Sequence, residues 1–102
     1  GDQVQCRASV SLMGEILPIG SSGNGPLDAF VSALQKVNVP KFSISAFHEH
    51  AIGSGTQSEA LACVEITLES NQKFWGCGKS TNIGLAGING VVSAINQVYA
   101  SN

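Results

Sequence analysis

Apolar and polar residues alternate along five segments of the chain, a pattern that predicts five β-strands. From Val4 to Leu12 the even-numbered residues are apolar and the odd-numbered residues between them are polar. A period of two is typical of antiparallel strands with one face on a core and one face in water. The predicted strands are Val4–Leu12, Glu15–Ile19, Phe42–His50, Ala60–Glu69 and Lys73–Gly78.

Two longer segments with an apolar stripe predict helices. The first runs from Pro26, a residue that suits the first position of a helix, to Val37. The second follows the capping residues in Lys79–Asn82 and ends near Tyr99. Glycine recurs every third residue along it, which costs about 2–3 kcal/mol of helix propensity relative to alanine. An alternative is therefore that this helix begins only near Gly87. The glycines are Gly84, Gly87 and Gly90.

One small unit occurs twice in the sequence. Val31–Val37 returns as Val92–Val98, and the upstream strand Ala8–Leu12 corresponds to Ala62–Ile66. The pattern predicts one α+β domain of duplicated ββα-type units, a two-layer fold with sheet and helices and internal pseudo-two-fold symmetry. Unit one covers about residues 3–40, a connecting strand and loop about 41–59, and unit two about 60–100.

The composition limits the classes of function. Only 12% of the 102 residues are charged, about half the usual share, so part of the surface is expected to be covered by a second copy or by the rest of a longer protein. A net charge of -2 argues against nucleic-acid binding. No apolar run is long enough for a membrane span and no signal-peptide pattern opens the chain, which predicts an intracellular, cytoplasmic protein. The odd cysteines Cys6, Cys63 and Cys77 predict free thiols rather than a disulfide or a zinc site.

Two short motifs could carry chemistry. Gly23-Asn24-Gly25-Pro26 opens a predicted helix, whose first backbone amides can hold an anion such as a carboxylate; the same residues are also ordinary turn residues. His48-Glu49-His50 could supply two metal ligands or an acid–base pair, or make structural hydrogen bonds at a strand end. No third ligand is evident, so we expect the structural role, with no metal and no cofactor.

Several motifs together resemble the C-terminal regulatory domain of α-isopropylmalate synthase, a domain that also occurs in citramalate synthases. The resemblance runs from about Ala8 to Val98. The segments that carry it are Gly23–Phe30, His48–Gly55, Ala62–Ile66, Trp75–Gly78 and Val92–Asn96.

The resemblance implies a domain that dimerises and binds an end-product amino acid between its units, with leucine the first candidate and isoleucine the second. The amino acid's polar head would meet Gly23, Asn24 and Gly25, followed by Leu27 and Asp28 at the helix start. The residues that would enclose its side chain are Ile44, Phe47, Ala51, Ser58, Ala60 and Ile83.

The fit to this family has one geometric tension, at Ile44 and Phe47, and departs from the family pattern at Asn82 and at the glycines 84, 87 and 90, which replace larger helix formers. On an ideal strand Ile44 and Phe47 face opposite ways, so a β-bulge or a partner chain is needed for both to line one pocket. Asn82 stands where the family commonly has aspartate, which puts the second half of the pocket in doubt.

The resemblance implies a noncatalytic domain that feedback-regulates an isopropylmalate synthase-like enzyme as a homodimer. The family's catalytic TIM barrel needs about 250 residues and would be a separate domain of the same protein. The alternative is a freestanding, repurposed domain that acts as a ligand-binding protein or as a small enzyme. In the enzyme, His48, Glu49 and Asp28 would be the acid–base candidates.

Overall fold

Five strands and two helices form the part of the chain that the computed structural model describes, residues 3–12, 15–37, 39–53 and 58–101. The α+β class is therefore confirmed. The chain divides into two units, residues 1–41 and 42–102. The elements in chain order are β1 (Val4–Leu12), β2 (Glu15–Gly23), α1 (Pro26–Leu34), β3 (Phe42–Ile52), β4 (Glu59–Leu68), β5 (Lys73–Ser80) and α2 (Ile83–Ala100).

The first unit is an antiparallel hairpin of β1 and β2 with α1 packed on both strands. β2 continues to Gly23, which pairs with Val4, so the predicted end of this strand at Ile19 is wrong. The length of β1 explains the extension, because its first residues supply hydrogen-bond partners for the end of β2. α1 contributes four buried residues, Ala29, Phe30, Ala33 and Leu34.

α1 ends at Leu34, three residues before the predicted end at Val37. The amides of Lys36 and Val37 bond to the carbonyls of Ala33 and Leu34, at 3.2 Å each. These bonds span three residues instead of four, so the last turn is tighter than an α-helix. Apolar periodicity extends through this turn, which explains why the pattern alone predicts a longer helix.

The second unit is an antiparallel sheet of order β3-β4-β5, with α2 packed across β4 and β5. The alternation in β4 correctly predicts its inner face, where Ala60, Ala62, Val64 and Ile66 are buried. α2 begins at Ile83, so the alternative of a late start near Gly87 is wrong. In the described residues, neither helix is long and apolar enough to cross a membrane.

Glycines bring the backbone of β5 into direct contact with α2. A methyl group on Gly78 would lie 2.7 Å from the Ala86 carbonyl oxygen and 2.7 Å from the Gly90 amide nitrogen. One on Gly76 would lie 2.5 Å from the Gly90 carbonyl oxygen. These distances are shorter than van der Waals contact, so the helix can occupy its position only because both strand residues lack a side chain.

Cys63 and Cys77 form a disulfide between β4 and β5, so the prediction of free thiols is wrong for this pair. The two residues lie directly opposite each other in the hairpin register, which neither the odd cysteine count nor the sequence spacing reveals. Cys6 is a free thiol of intermediate exposure, as predicted.

The close contact between β5 and α2 predicts a large cost for a small side chain. Gly78→Ala should lower the free energy of unfolding by about 2–3 kcal/mol, because the helix must move off the sheet. Urea unfolding measures the change. Gly25→Ser is the matched control, since nothing lies within 4 Å of its added side chain, and it should stay within about 0.5 kcal/mol. Equal stability of the two variants would contradict the role of the glycine contact.

Candidate functional site

The start of α1 leaves backbone donors free, as the glycine-rich motif predicts. Gly25 is the N-cap, with φ -154° and ψ 175°, and no side-chain cap is present. Its carbonyl accepts the first helical bond, from the Ala29 amide at 2.9 Å. The amides of Leu27 and Asp28 precede this bond and have no partner within the helix, while Pro26 has no amide hydrogen. Two N–H donors therefore point out of the helix start.

Gly23 and Gly25 have different roles in this motif. A methyl group on Gly23 would lie 2.6 Å from the Ala29 amide nitrogen, so the end of β2 packs directly on the first turn of α1. Nothing lies within 4 Å of the same group on Gly25. Gly23 thus holds the helix start against the strand, and Gly25 leaves the space in front of the free amides open. Asn24 beside them is exposed.

Asp28 adds a negative charge to the same helical turn. It is exposed and is the acidic residue in the first turn of α1. A carboxylate there interacts favourably with the positive end of the helix dipole. The helix start therefore offers both N–H donors and a carboxylate acceptor within one turn, which is the complement of a small zwitterion.

The start of α2 is closed by its own cap. Asn82 Oδ1 accepts a hydrogen bond from the Leu85 amide at 3.1 Å, and Ser80 Oγ accepts one from the Asn82 amide at 3.0 Å. The residue that departs from the family's aspartate therefore performs an N-cap function that aspartate also performs. The two helices differ in this respect, because α1 has no side-chain cap.

A β-bulge in β3 removes the difficulty that the strand pattern raised. The register shifts between Ile44 and Ala46, so Ile44 lies opposite Ile66 and Phe47 lies opposite Val64. Since Ile66 and Val64 both belong to the inner face of β4, Ile44 and Phe47 share one face of the sheet.

The other apolar site residues predicted in the second unit lie near the same sheet. Ala51 pairs directly with Ala60, so it too lies on the inner face. Ser58 is exposed just before β4, and Ile83 is 64% exposed as the first residue of α2. α2 packs on β4 and β5. On β3, the Phe47 side chain is 40% exposed. The inner face of β3 therefore presents Ile44, Phe47 and Ala51, with the exposed Glu49 between the last two.

The histidine motif is divided between the two faces of the sheet. His48 and His50 lie opposite Cys63 and Leu61, whereas Glu49 lies opposite Ala62 on the other face. Glu49 therefore points away from both histidines. Among the described residues no three His, Cys, Asp or Glu side chains lie close enough to hold a metal ion.

Trp75 lies on the outer face of the second unit and not in its core. Its side chain is 46% exposed, and its ring stacks on His48 with the centroids 5.9 Å apart and the planes inclined by 17°. The stacking gives His48 an aromatic partner on the outer face of the sheet.

A polar groove of about 390 Å³ lies in the first unit, and none of the predicted site residues lines it. None of its lining residues is buried, and five of the seven are exposed. Charges in such a setting are well solvated, so the groove lacks the desolvation that strengthens polar recognition. Its residues are Gln5, Cys6, Arg7, Gly20, Ser21, Ser22 and Lys36.

Each unit contains an antiparallel β-hairpin followed by a helix, and together they make an α+β domain whose two helix starts differ in their capping. Residues 2–99 match the LeuA allosteric (dimerisation) domain, and the chain belongs to that family. The family assignment supports a regulatory or dimerisation role.

The curated relatives that the chain matches are much longer proteins. It is 40% identical over 97 residues to a 2-isopropylmalate synthase of Parafrankia sp. (strain EAN1pec), which covers 95% of the chain and 17% of the relative. It is 42% identical over 94 residues to the 2-isopropylmalate synthase of Thermobifida fusca, which covers 92% of the chain and 16% of the relative. It is 36% identical over 104 residues to the 2-isopropylmalate synthase of Schizosaccharomyces pombe, which covers 95% of the chain and 18% of the relative. The chain thus spans about a sixth of their length.

The cap of α2 predicts a specific pair of stability changes. Asn82→Ala should lower the free energy of unfolding by about 1 kcal/mol, because the Leu85 amide loses its acceptor. Asn82→Asp should keep the cap and gain about 0.3–1 kcal/mol from the helix dipole. Thermal unfolding of the three proteins measures both changes. Wild-type stability in Asn82→Ala would show that Asn82 does not cap the helix.

Proposed function

We propose that this chain is the feedback-sensing domain of a longer, isopropylmalate synthase-like enzyme, and that it acts as a homodimer and binds a branched-chain amino acid, with leucine the first candidate. Membership of an allosteric domain family supports the proposal, as does the 2-isopropylmalate synthase name of the relatives. The observation that carries it is the open start of α1, where the Leu27 and Asp28 amides have no helical partner and Gly25 has no side chain to cap them.

The polar head of an amino acid matches the chemistry of this helix start. Its carboxylate would accept hydrogen bonds from the Leu27 and Asp28 amides, aided by the positive end of the helix dipole. Its ammonium group would pair with the Asp28 carboxylate, which is exposed in the same turn. Neither interaction requires a basic side chain. Gly23, Asn24 and Gly25 would form the entrance to this site.

The apolar part of the effector would contact residues of the second unit. Ile44, Phe47 and Ala51 share the inner face of the sheet, and the first two depend on the β-bulge for that position. Aliphatic surface there suits a branched hydrocarbon chain, since burying it removes apolar area from water on both partners. Ser58, Ala60 and Ile83 would complete this part of the site.

Regulation would follow from differential binding. An effector lowers the activity of a catalytic domain only if it binds one conformational state better than another. The catalytic barrel would belong to the same longer protein, and the dimer would couple two such chains. Pocket walls of apolar residues distinguish one methylene by only about 1–3 kcal/mol, so leucine and isoleucine are expected to compete for the site.

A carboxylate introduced at the start of α1 tests whether the polar head of the amino acid binds there. Leucine at about 100 times its Kd should stabilise the chain by about 2.7 kcal/mol, seen as a rise in Tm. Gly25→Asp should leave the chain folded, because its side chain enters open space and can cap α1. It should abolish the response to leucine, because the new carboxylate occupies the same amides.

Asn82→Asp is the matched control, because it places the same charge at the start of α2, where a side chain already caps the helix. Its response to leucine should equal that of the wild type. A wild-type protein whose Tm does not change with leucine, isoleucine or valine would refute the proposal. An unchanged response in Gly25→Asp would exclude the start of α1 as the binding position.

Neighbouring positions on β3 test the apolar part of the site. Phe47→Ala should weaken leucine binding about ten-fold, because it removes apolar contact at a residue that is 40% exposed without ligand. His50→Ala is the control, since His50 faces the opposite side of the same strand. Isothermal titration calorimetry gives both affinities. Equal affinity of the two variants would contradict the assignment of the inner face.

A further inference from the structure

The Cys63–Cys77 disulfide lies on the outer face of the second unit's sheet, opposite the face that carries α2. The two residues are directly paired across β4 and β5, with their Cα atoms 4.1 Å apart. This separation is typical of the close, non-hydrogen-bonded pairs of an antiparallel sheet. Cys77 is exposed and Cys63 is half-buried. Cys77 is therefore the more exposed half of the disulfide.

The position of Cys77 links the disulfide to the packing of the helix. Its neighbours Gly76 and Gly78 are the two buried glycines against which the α2 backbone packs. β5 is also an edge strand, bonded to β4 on one side only. The disulfide thus links β5, whose glycines pack against α2, to β4. It lies on the face of the sheet that α2 does not cover.

We propose that Cys63 and Cys77 are a reversible thiol–disulfide exchange site, which a dithiol opens by attack at Cys77. The inference rests on the pairing and exposure of these residues and is independent of the proposed effector site. It goes beyond a structural staple, because a bond with one exposed sulfur can be reduced while the chain stays folded.

The exchange balances as a two-electron transfer. A thiolate of the dithiol attacks the Cys77 sulfur and forms a mixed disulfide, and Cys63 leaves as a thiolate that takes a proton from solvent. The second thiol of the reagent, as its thiolate, then attacks the reagent's own sulfur in that mixed disulfide. Cys77 leaves as a thiolate and is protonated. The cysteines are reduced, and the dithiol is oxidised to its cyclic disulfide.

Opening the bond loosens the strand that carries α2. The cross-link closes a loop between residues 14 positions apart, and a loop of that size restricts the unfolded chain substantially. The reduced chain should therefore melt at a temperature lower by about 10 °C, a difference on the scale expected for a domain of this length. Hydrogen exchange should increase in β5 and α2, with β1 and β2 unaffected.

Tryptic digestion separates the three cysteines, so peptide mapping can detect the disulfide directly. Trypsin cleaves after Arg7, Lys41, Lys73 and Lys79, which places Cys6, Cys63 and Cys77 in three different peptides. The air-oxidised chain should yield peptides 42–73 and 74–79 joined by a disulfide. Dithiothreitol applied without denaturant should separate them. Glutathione used as a monothiol trap should leave its adduct on peptide 74–79.

Variants separate the exchange site from the third cysteine. Cys77→Ser should have the Tm of the reduced wild type and should not respond to dithiothreitol. Cys6→Ser, the matched control, should keep the full dithiothreitol-dependent change in Tm. Three outcomes would each overturn the proposal: no joined peptide in the oxidised chain, reduction only in denaturant, or the same Tm before and after reduction.

Discussion

Direct contact between glycine backbone and helix is the constraint on which the structure depends. In the second unit, Gly76 and Gly78 of β5 leave no room for a side chain against the α2 backbone. In the first, Gly23 at the end of β2 lies similarly close to the Ala29 amide of α1. Since overpacking by a single methyl group costs a substantial part of a small domain's stability, these positions determine where each helix lies on its sheet.

The same contact accounts for Gly90, one of the three glycines of α2. Gly90 faces Val64 and the Ala62 carbonyl oxygen, where a methyl group would lie 2.9 Å and 3.2 Å away, and it also meets Gly76. The loss of helix propensity is offset by burial of the helix residues that then reach the sheet. These include Ala86, Val91, Ala94, Ile95 and Val98, all at most 3% exposed.

The sequence predicts the order and type of all seven elements, because alternation and helical periodicity report directly on which face is buried. The pattern does not locate the bulge in β3, which the sequence raised only as one way for Ile44 and Phe47 to share a pocket; the residue left out of the register is Ser45, not a glycine. The predicted strands Ala60–Glu69 and Lys73–Gly78 also centre the β4–β5 turn on Asn71, one residue too late. The register is centred on Ser70, with Asn71 at φ 70°, and this shift is what sets Cys63 opposite Cys77.

The start of α1 is the part of the candidate site that the sequence predicts best, because it depends only on neighbouring residues. The open start of α1 follows from Gly25 and Pro26 alone, because a helix whose N-cap has no side chain leaves its first amides free. Asn82 closes the corresponding position of α2 by the same local rule. The two helix starts therefore differ by a single local feature, because Asn82 supplies a side-chain acceptor where Gly25 has none.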